Sequence, residues 1–405
     1  MRVVGTVLTA GLAITGLAQQ SPGPTPPDSA RVAAVTTWLN DASVPLKTVV
    51  AEQGLTDLAP LARVLKDVRI VGLGESTHGT REFFQFKHRM TEFLVKEMGF
   101  TVFALEASYP ACLNINEYVL HGKGDPAEAL ASQKFWTWDT EEVRDLIAWM
   151  RRYNQTVPDA KKVRFLGYDL QHLDQAFEVI PAFLARVAPE KAAAARAAFA
   201  PLLPTTGNVG ALQTLTDADK RTLRADLQAL VGYFALNEAW LAERSSRAEF
   251  ETVLQHARTL VQLVDSYARP SDDPAKGNMR DRYMADNIAH IVHTSPPGTK
   301  VVVWAHNAHV SRGAYGGDSM GARLREIYGQ AYYAVGFAFN RGGFQSRNMD
   351  DRSILMNFTV PAAREGSIEW YLSHARHERF FVDVRRAPGG QAVDPLDWLR
   401  NRAGR

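Results

Sequence analysis

One cysteine, Cys112, is all the sequence holds. An internal disulfide is therefore excluded, as is any metal site that needs several thiolates. Its neighbours Ala111 and Leu113 suit a buried thiol. An excess of charge is missing too: 46 basic and 44 acidic side chains leave a formal net charge of +2, with no long block of one sign. That gives no electrostatic footprint for nucleic acid, which is not expected as a partner. With 46% hydrophobic and 22% charged residues, the composition is that of a globular chain and not of a disordered or fibrous one. No internal repeat is visible. The 405 residues accommodate one large domain or two ordinary ones.

Long apolar runs are scarce. The uncharged stretch Val3 to Ala18 follows Arg2 and closes on Gly16-Leu17-Ala18. It is short for a bilayer span and has the layout of a secretory signal peptide over residues 1–18, cut near the Ala18–Gln19 bond. Residues 19–30 are rich in Pro and Ser, as a linker is. No cysteine follows the run, so a lipidated N-terminus is not expected. The expectation is an exported protein, periplasmic or extracellular, with no membrane association once the signal is removed. The sequence leaves its oligomeric state open.

Short runs rich in β-branched or aromatic residues recur at Val68 to Leu73, Thr101 to Leu105, Val163 to Gly167, Lys300 to Trp304, Tyr332 to Phe339 and Arg379 to Val384. Amphipathic stretches such as Arg81 to Met98, Glu141 to Tyr153 and Asn278 to His293 lie between them. Strand alternating with helix predicts an α/β fold, a parallel or mixed sheet covered by helices. From about Leu173 to Arg269 the pattern changes to helix-period sequence rich in Ala, Leu and Arg. Two long helices, Asp217 to Arg244 and Ser246 to Arg269, are predicted there as an antiparallel pair turning at Ser245. This reads as a helical insertion in a single α/β hydrolase-type domain spanning residues 31–405.

Ligands of open parallel sheets bind beyond the carboxyl ends of the strands. The first predicted strand runs into Gly74-Glu75-Ser76-Thr77-His78-Gly79, the second into Glu106, the third into Asp169 with His172 beyond, and the fourth into His306-Asn307-Ala308-His309. An isolated polar residue at such a place is usually a cap or a solvated side chain. Four consecutive strand exits carrying ionisable groups predict one shared cleft. Imidazole can take a proton from water, and a carboxylate nearby can orient the ring and stabilise its cation. His306 and His309 could act opposite, on an oxyanion or a leaving alkoxide. The two glycines suit a turn where backbone must approach a ligand closely. Arg81 and Lys87 follow on the next helix; for Lys87 a solvated helix face is the expectation.

These residues resemble the erythromycin esterase family. The resemblance rests on Gly74 to Glu82, on Phe103-Ala104-Leu105-Glu106, on Gly167-Tyr168-Asp169 and on Trp304 to His309. Phe135-Trp136-Thr137-Trp138 with Glu141-Glu142, and Arg280-Asp281 to Asn287, also look familial, so the likeness covers about residues 50–385. No single motif is long, but their order and spacing are specific. The resemblance implies an α/β fold with a helical portion and hydrolysis of a small-molecule ester or lactone, macrolides included, by histidine-activated water without a cofactor or metal. It implies His78 as the base with Glu75, Glu106, His306 and His309 in support; Arg81, Asp169 and Arg280 are candidate substrate-binding residues.

Three alternatives stand beside it. Glu75, His78, Glu106, His306 and His309 are all possible ligands of a catalytic metal, although their spacing is not that of a zincin helix. Gly317-Asp318-Ser319-Met320-Gly321 matches the nucleophile-elbow string, but it follows a glycine-rich loop instead of a strand, and Ser319 reads better as a helix N-cap. A non-catalytic envelope-binding module would have no need for so many converging ionisable groups.

Overall fold

The computed structural model describes residues 28–203, 208–269, 279–312, 319–348, 350–351 and 353–384. The expected signal peptide and all but the end of the expected linker lie outside the described residues. At that end, a helix capped by Asp28 already begins at Ser29.

The strands are β1 (Val44–Pro45), β2 (Ile70–Leu73), β3 (Val102–Ser108), β4 (Arg164–Asp169), β5 (Val301–Trp304), β6 (Tyr332–Val335), β7 (Gly342–Arg347), β8 (Leu355–Val360) and β9 (Phe380–Phe381). Five of them form one sheet in the order β4-β3-β5-β2-β6, with every pairing parallel. All residues of β2, β3 and β5 are buried, as helices on both faces require. Alternation along each strand divides two cores. Val71, Leu73, Phe103, Leu105, Val302 and Trp304 face the helices Arg81–Met98, Tyr109–His121 and Glu141–Thr156. Ile70, Val102, Ala104, Val301 and Val303 face Met279–Thr294 and Met320–Tyr328. No described helix is long and apolar enough to cross a membrane.

Between β4 and β5, the described residues of 173–269 contain helices and no strand, and these helices share a core of their own. The first of the two long helices expected there is interrupted. It runs Asp217–Leu236, breaks at Asn237 and resumes as Glu238–Glu243. Asn is a poor helix former because its amide competes for backbone groups, and here Asn237 Nδ2 donates to Tyr233 O at 2.8 Å. The second, Arg247–Tyr267, is capped by Ser246, whose Oγ accepts the Glu249 N–H.

Two strand expectations need correction. The run Tyr332 to Phe339 leaves the sheet after Val335, because Asn307 clamps the backbone beyond it: Nδ2 donates to Phe337 O at 2.7 Å and Oδ1 accepts Phe337 N–H at 3.1 Å. In Arg379 to Val384 only Phe380–Phe381 is strand, paired antiparallel with β1 and separate from the main sheet. The antiparallel hairpin β7–β8 was not predicted; its glycines and polar residues hide the alternation.

Candidate active site

The carboxyl ends of β2, β3, β4 and β5 bring Glu75, His78, Glu106, Asp169, His306 and His309 to one end of the sheet. In-register pairing of β2 with β5 (Leu73↔Trp304) and of β5 with β3 (Leu105↔Trp304) aligns their exits.

Glu75 is fully buried and has both oxygens engaged. His78 Nδ1 lies 2.5 Å from Oε1; a carboxylate only accepts, so Nδ1 carries the proton and Nε2 is left as the basic nitrogen. Lys87 Nζ donates to Oε2 at 2.6 Å and Trp304 Nε1 donates to the same oxygen at 3.0 Å. The His78 side chain keeps 34% of its exposure, so water reaches it. Its ring stands edge-on to Trp138, with centroids 5.7 Å apart, and 5.2 Å from the His306 ring. Trp138 is fixed in turn by donating Nε1–H to Glu106 O at 2.8 Å.

A second group is organised around Arg280. Its Nε and Nη2 reach Asp169 Oδ1 and Oδ2 at 3.0 and 2.8 Å, and Nη2 also reaches Glu106 Oε1 at 2.9 Å. Asp169 is buried and committed to this contact and to the Leu170 N–H. His309 sits between carboxylates: Nδ1 is 2.6 Å from Asp281 Oδ1 and Nε2 is 3.2 Å from Glu106 Oε1. Burial works against its cation, but Glu106 and Asp281 outweigh that and push the pKa up to about 10. His309 is therefore an imidazolium at neutral pH, and its 3.2 Å approach to Arg280 Nη1 is two cations sharing Glu106, with no donation between them. Burial opposes the Glu106 carboxylate as well, yet His309 and Arg280 hold its pKa well below the usual range.

His306 is different. Its Nδ1 accepts the Ala308 N–H at 3.2 Å and its Nε2 lies 3.3 Å from Ser76 O. Burial first, and the nearness of the His78 ring second, lower its pKa. Both nitrogens are thus spent on backbone. The ring caps the short helix Asn307–Val310 and ties it to the turn carrying His78, which leaves it no proton to deliver to an oxyanion.

Arg81 stands apart from the cluster. It is 63% exposed and pairs with Glu142 (2.6 Å) and Glu141 (3.3 Å). Lys87 corrects the expectation of a solvated face: it is completely buried against Glu75. Its place was legible, because it stands four residues after Phe83, three after Phe84 and three before Met90, on the apolar stripe of its helix. Asp281 also escaped attention as a site residue, although it joins His309 to the helix Met320–Tyr328 by accepting the Met320 N–H at 3.0 Å. Gly74 and Gly79 do mark close approach, but to this chain's own atoms. A Cβ would lie 2.1 Å from Asn307 Oδ1 at the first and 1.8 Å from Gln345 O at the second.

Ser319 is a helix N-cap. Its Oγ accepts the Ala322 N–H at 3.2 Å and donates to Ser311 O at 2.5 Å. Residues 313–318, which hold most of the expected glycine-rich loop and elbow string, lie outside the described residues. Among the described residues no group of three or more His, Cys, Asp or Glu side chains could hold a metal ion.

A parallel α/β sheet whose strand exits carry a buried carboxylate–imidazole pair beside an ion-paired Arg–His–carboxylate cluster has the parts of a hydrolase site, and the family match supports that class. The family model described as erythromycin esterase matches residues 95–404, and the chain belongs to the erythromycin esterase family. It is 26% identical over 376 residues to erythromycin esterase type II of Escherichia coli, covering 87% of this chain and 89% of that protein. A crystal structure of a Bacillus cereus protein superposes with a TM-score of 0.81 at 29% identity, covering 91% of this chain and 88% of that one. A histidine-to-asparagine variant of the erythromycin esterase EreC, in its open conformation, shares the fold at a TM-score of 0.70 and 17% identity, with 84% and 88% covered.

Proposed function

We propose that the protein hydrolyses an ester or lactone bond of a small molecule with a water activated by His78, macrolide lactones being the first substrates to test. The observation that carries this reading is the 2.5 Å contact from His78 Nδ1 to the buried Glu75, on a ring otherwise open to water. Nε2 takes a proton from water as the oxygen bonds to the carbonyl carbon. The imidazolium is stabilised by Glu75, while the carbonyl π electrons move to the oxygen. Arg280, whose Nε and Nη2 are held by Asp169 and Glu106 while Nη1 is on no carboxylate among the described residues, supplies positive charge for that oxyanion. His309, with a carboxylate on each nitrogen, holds Glu106 in place beside it. Collapse of the tetrahedral intermediate breaks the bond to the alkoxy oxygen, which receives the proton from His78, and the base is regenerated.

The metal alternative meets a physical objection. Glu75 already carries Lys87 and His78 on its two oxygens, and Glu106 and Asp169 carry Arg280. A dication would have to displace cations that the fold holds in place. Purified protein should therefore hydrolyse erythromycin or p-nitrophenyl esters equally before and after dialysis against a chelator. No turnover of any ester, or activity that returns only with a divalent ion, would overturn the proposal.

We further propose that the protein acts outside the cytoplasm, on the strength of the Arg2 to Ala18 stretch and the Pro-rich residues after it. N-terminal sequencing of protein secreted by its own host should read from Gln19 or a residue beside it; a retained Met1 in exported protein would contradict this.

A further inference from the structure

Lys87 is buried on every side. Its helix, Arg81–Met98, is packed into the core from Phe83 to Val95, and the ammonium ends against Glu75 Oε2 at 2.6 Å and Ala305 O at 3.2 Å. The ring of Trp304, 4.6 Å from Nζ, presents its negative face, and Phe337 does so at 5.7 Å. Such burial is tolerated only when the charge is matched, and the matching charge is the carboxylate that holds His78. Three ionisable groups thus form one line, Lys87 to Glu75 to His78, with only the last open to water. The His306 ring, 5.2 Å from that of His78, and the Glu106 carboxylate face the line from the neighbouring strand exits.

We propose that Lys87 is the positioning and charge-balancing residue of the catalytic base: its ammonium neutralises the buried Glu75, so that Glu75 stays a carboxylate that accepts Nδ1–H of His78 and leaves Nε2 as the base. This rests on the reading of His78 as the base. Without the ammonium, a fully buried carboxylate would be left with the Trp304 N–H and the imidazole alone. It would draw in a second proton, and either site for that proton disables the pair. On the ring it makes an imidazolium that cannot accept another. On Glu75 it makes a hydroxyl that donates to Nδ1, moving the ring proton to Nε2. With Lys87 in place the carboxylate is already compensated, Nδ1–H is directed to Oε1, and Nε2 keeps its lone pair. Burial lowers the Lys87 pKa to about 8 against the opposing pull of Glu75 and of the more distant Glu106.

The test compares Lys87→Met, which removes the charge at similar volume, with Lys87→Arg, which keeps it, using p-nitrophenyl butyrate hydrolysis and nitrogen-15 NMR of histidine-labelled protein. In Lys87→Met, kcat at neutral pH should fall about a hundredfold with KM changed less than about threefold, and the acidic limb of kcat/KM should move up by about one pH unit or more. Its His78 ring should show protons on both nitrogens or on Nε2, where the wild type shows Nδ1–H alone. Lys87→Arg should restore the wild-type limb and ring pattern. If the Met variant does not fold, Lys87→Gln takes its place with the same readouts. A folded neutral variant with an unchanged pH profile and unchanged His78 ring signals would overturn the proposal. The NMR arm needs no turnover, so a wild-type protein inert towards esters would defeat the hydrolase reading alone.

Discussion

Arg280 closes on Asp169 with two nitrogens, Nε 3.0 Å from Oδ1 and Nη2 2.8 Å from Oδ2, and the same Nη2 reaches on to Glu106. The planar guanidinium spans two buried carboxylates from different strands, which a point charge cannot do. Arg280→Lys should therefore cost about a hundredfold in kcat/KM. Arg280→Ala, which strands both carboxylates, should in addition lower stability by about 3–5 kcal/mol. Urea unfolding beside ester hydrolysis separates the two effects, and an Arg280→Lys variant with full activity would deny the fork its role.

His78→Gln keeps the bulk of the ring without its basic nitrogen. A positioned general base contributes about a hundred- to ten-thousand-fold in rate, so kcat should fall by at least the lower figure. Glu75 remains paired with Lys87 in this variant, so Tm should stay close to that of the wild type. Turnover within a few-fold of the wild type would remove His78 from the mechanism. His306, with both nitrogens on backbone, and His309, held as a cation, are poorly placed to replace it.

Ser319→Ala tests the alternative nucleophile. Loss of the cap on Met320–Tyr328 should cost about 1 kcal/mol of stability, while ester hydrolysis should be retained. Reaction with a fluorophosphonate probe, or loss of activity without loss of fold, would contradict that outcome.

Stability should fall on the acid side through two histidines remote from the chemistry. Burial depresses the pKa of His88, against the charge of Glu92, and that of His256, each to about 4. Both are neutral in the fold, whereas the unfolded chain takes up their protons near pH 6.5. Their contribution is thus fully present above about pH 6.5 and is lost as pH falls towards about 4, at up to about 3 kcal/mol each. His309 has the opposite sign. Its raised pKa stabilises the fold below about pH 6.5, and that share is lost as pH rises through about 10. Among the described residues neither ring nitrogen of His256 has a hydrogen-bond partner, so His256→Leu should narrow the gap in Tm between neutral pH and pH 4.5 by about 3 °C. An unchanged gap would exclude His256 as an acid trigger.

Much of this architecture was legible because local pattern and tertiary placement agree. The helix Arg81–Met98 has the bounds its periodicity predicts, and β2, β3, β4 and β5 lie on the apolar runs that precede the motifs. Glu75, His78, Glu106, Asp169 and His309 meet because parallel strands deliver their exits to one end. What stayed hidden depends on partners distant in sequence. The apolar stripe could have shown Lys87 to be buried but not that Glu75 is its partner, and Arg81 looks like a cleft residue until Glu141 and Glu142 claim it. The end of β6 is set by Asn307, which no inspection of Tyr332 to Phe339 reveals. Asn237 breaks its helix where the surrounding sequence favours continuation.

Gly79 has an ordinary backbone conformation; it is not among the glycines with positive φ. Its lack of a side chain answers to Gln345, whose N–H donates to Gly79 O at 3.0 Å and whose carbonyl fills the space a Cβ would take. The residue next to the base is therefore an imprint of the β7–β8 hairpin, left in a part of the sequence far from it. In related chains, any larger residue at this position would be a one-letter marker of a hairpin seated elsewhere. Glycine there allows the two segments to be aligned as one unit, even where the hairpin's own sequence has drifted beyond comparison.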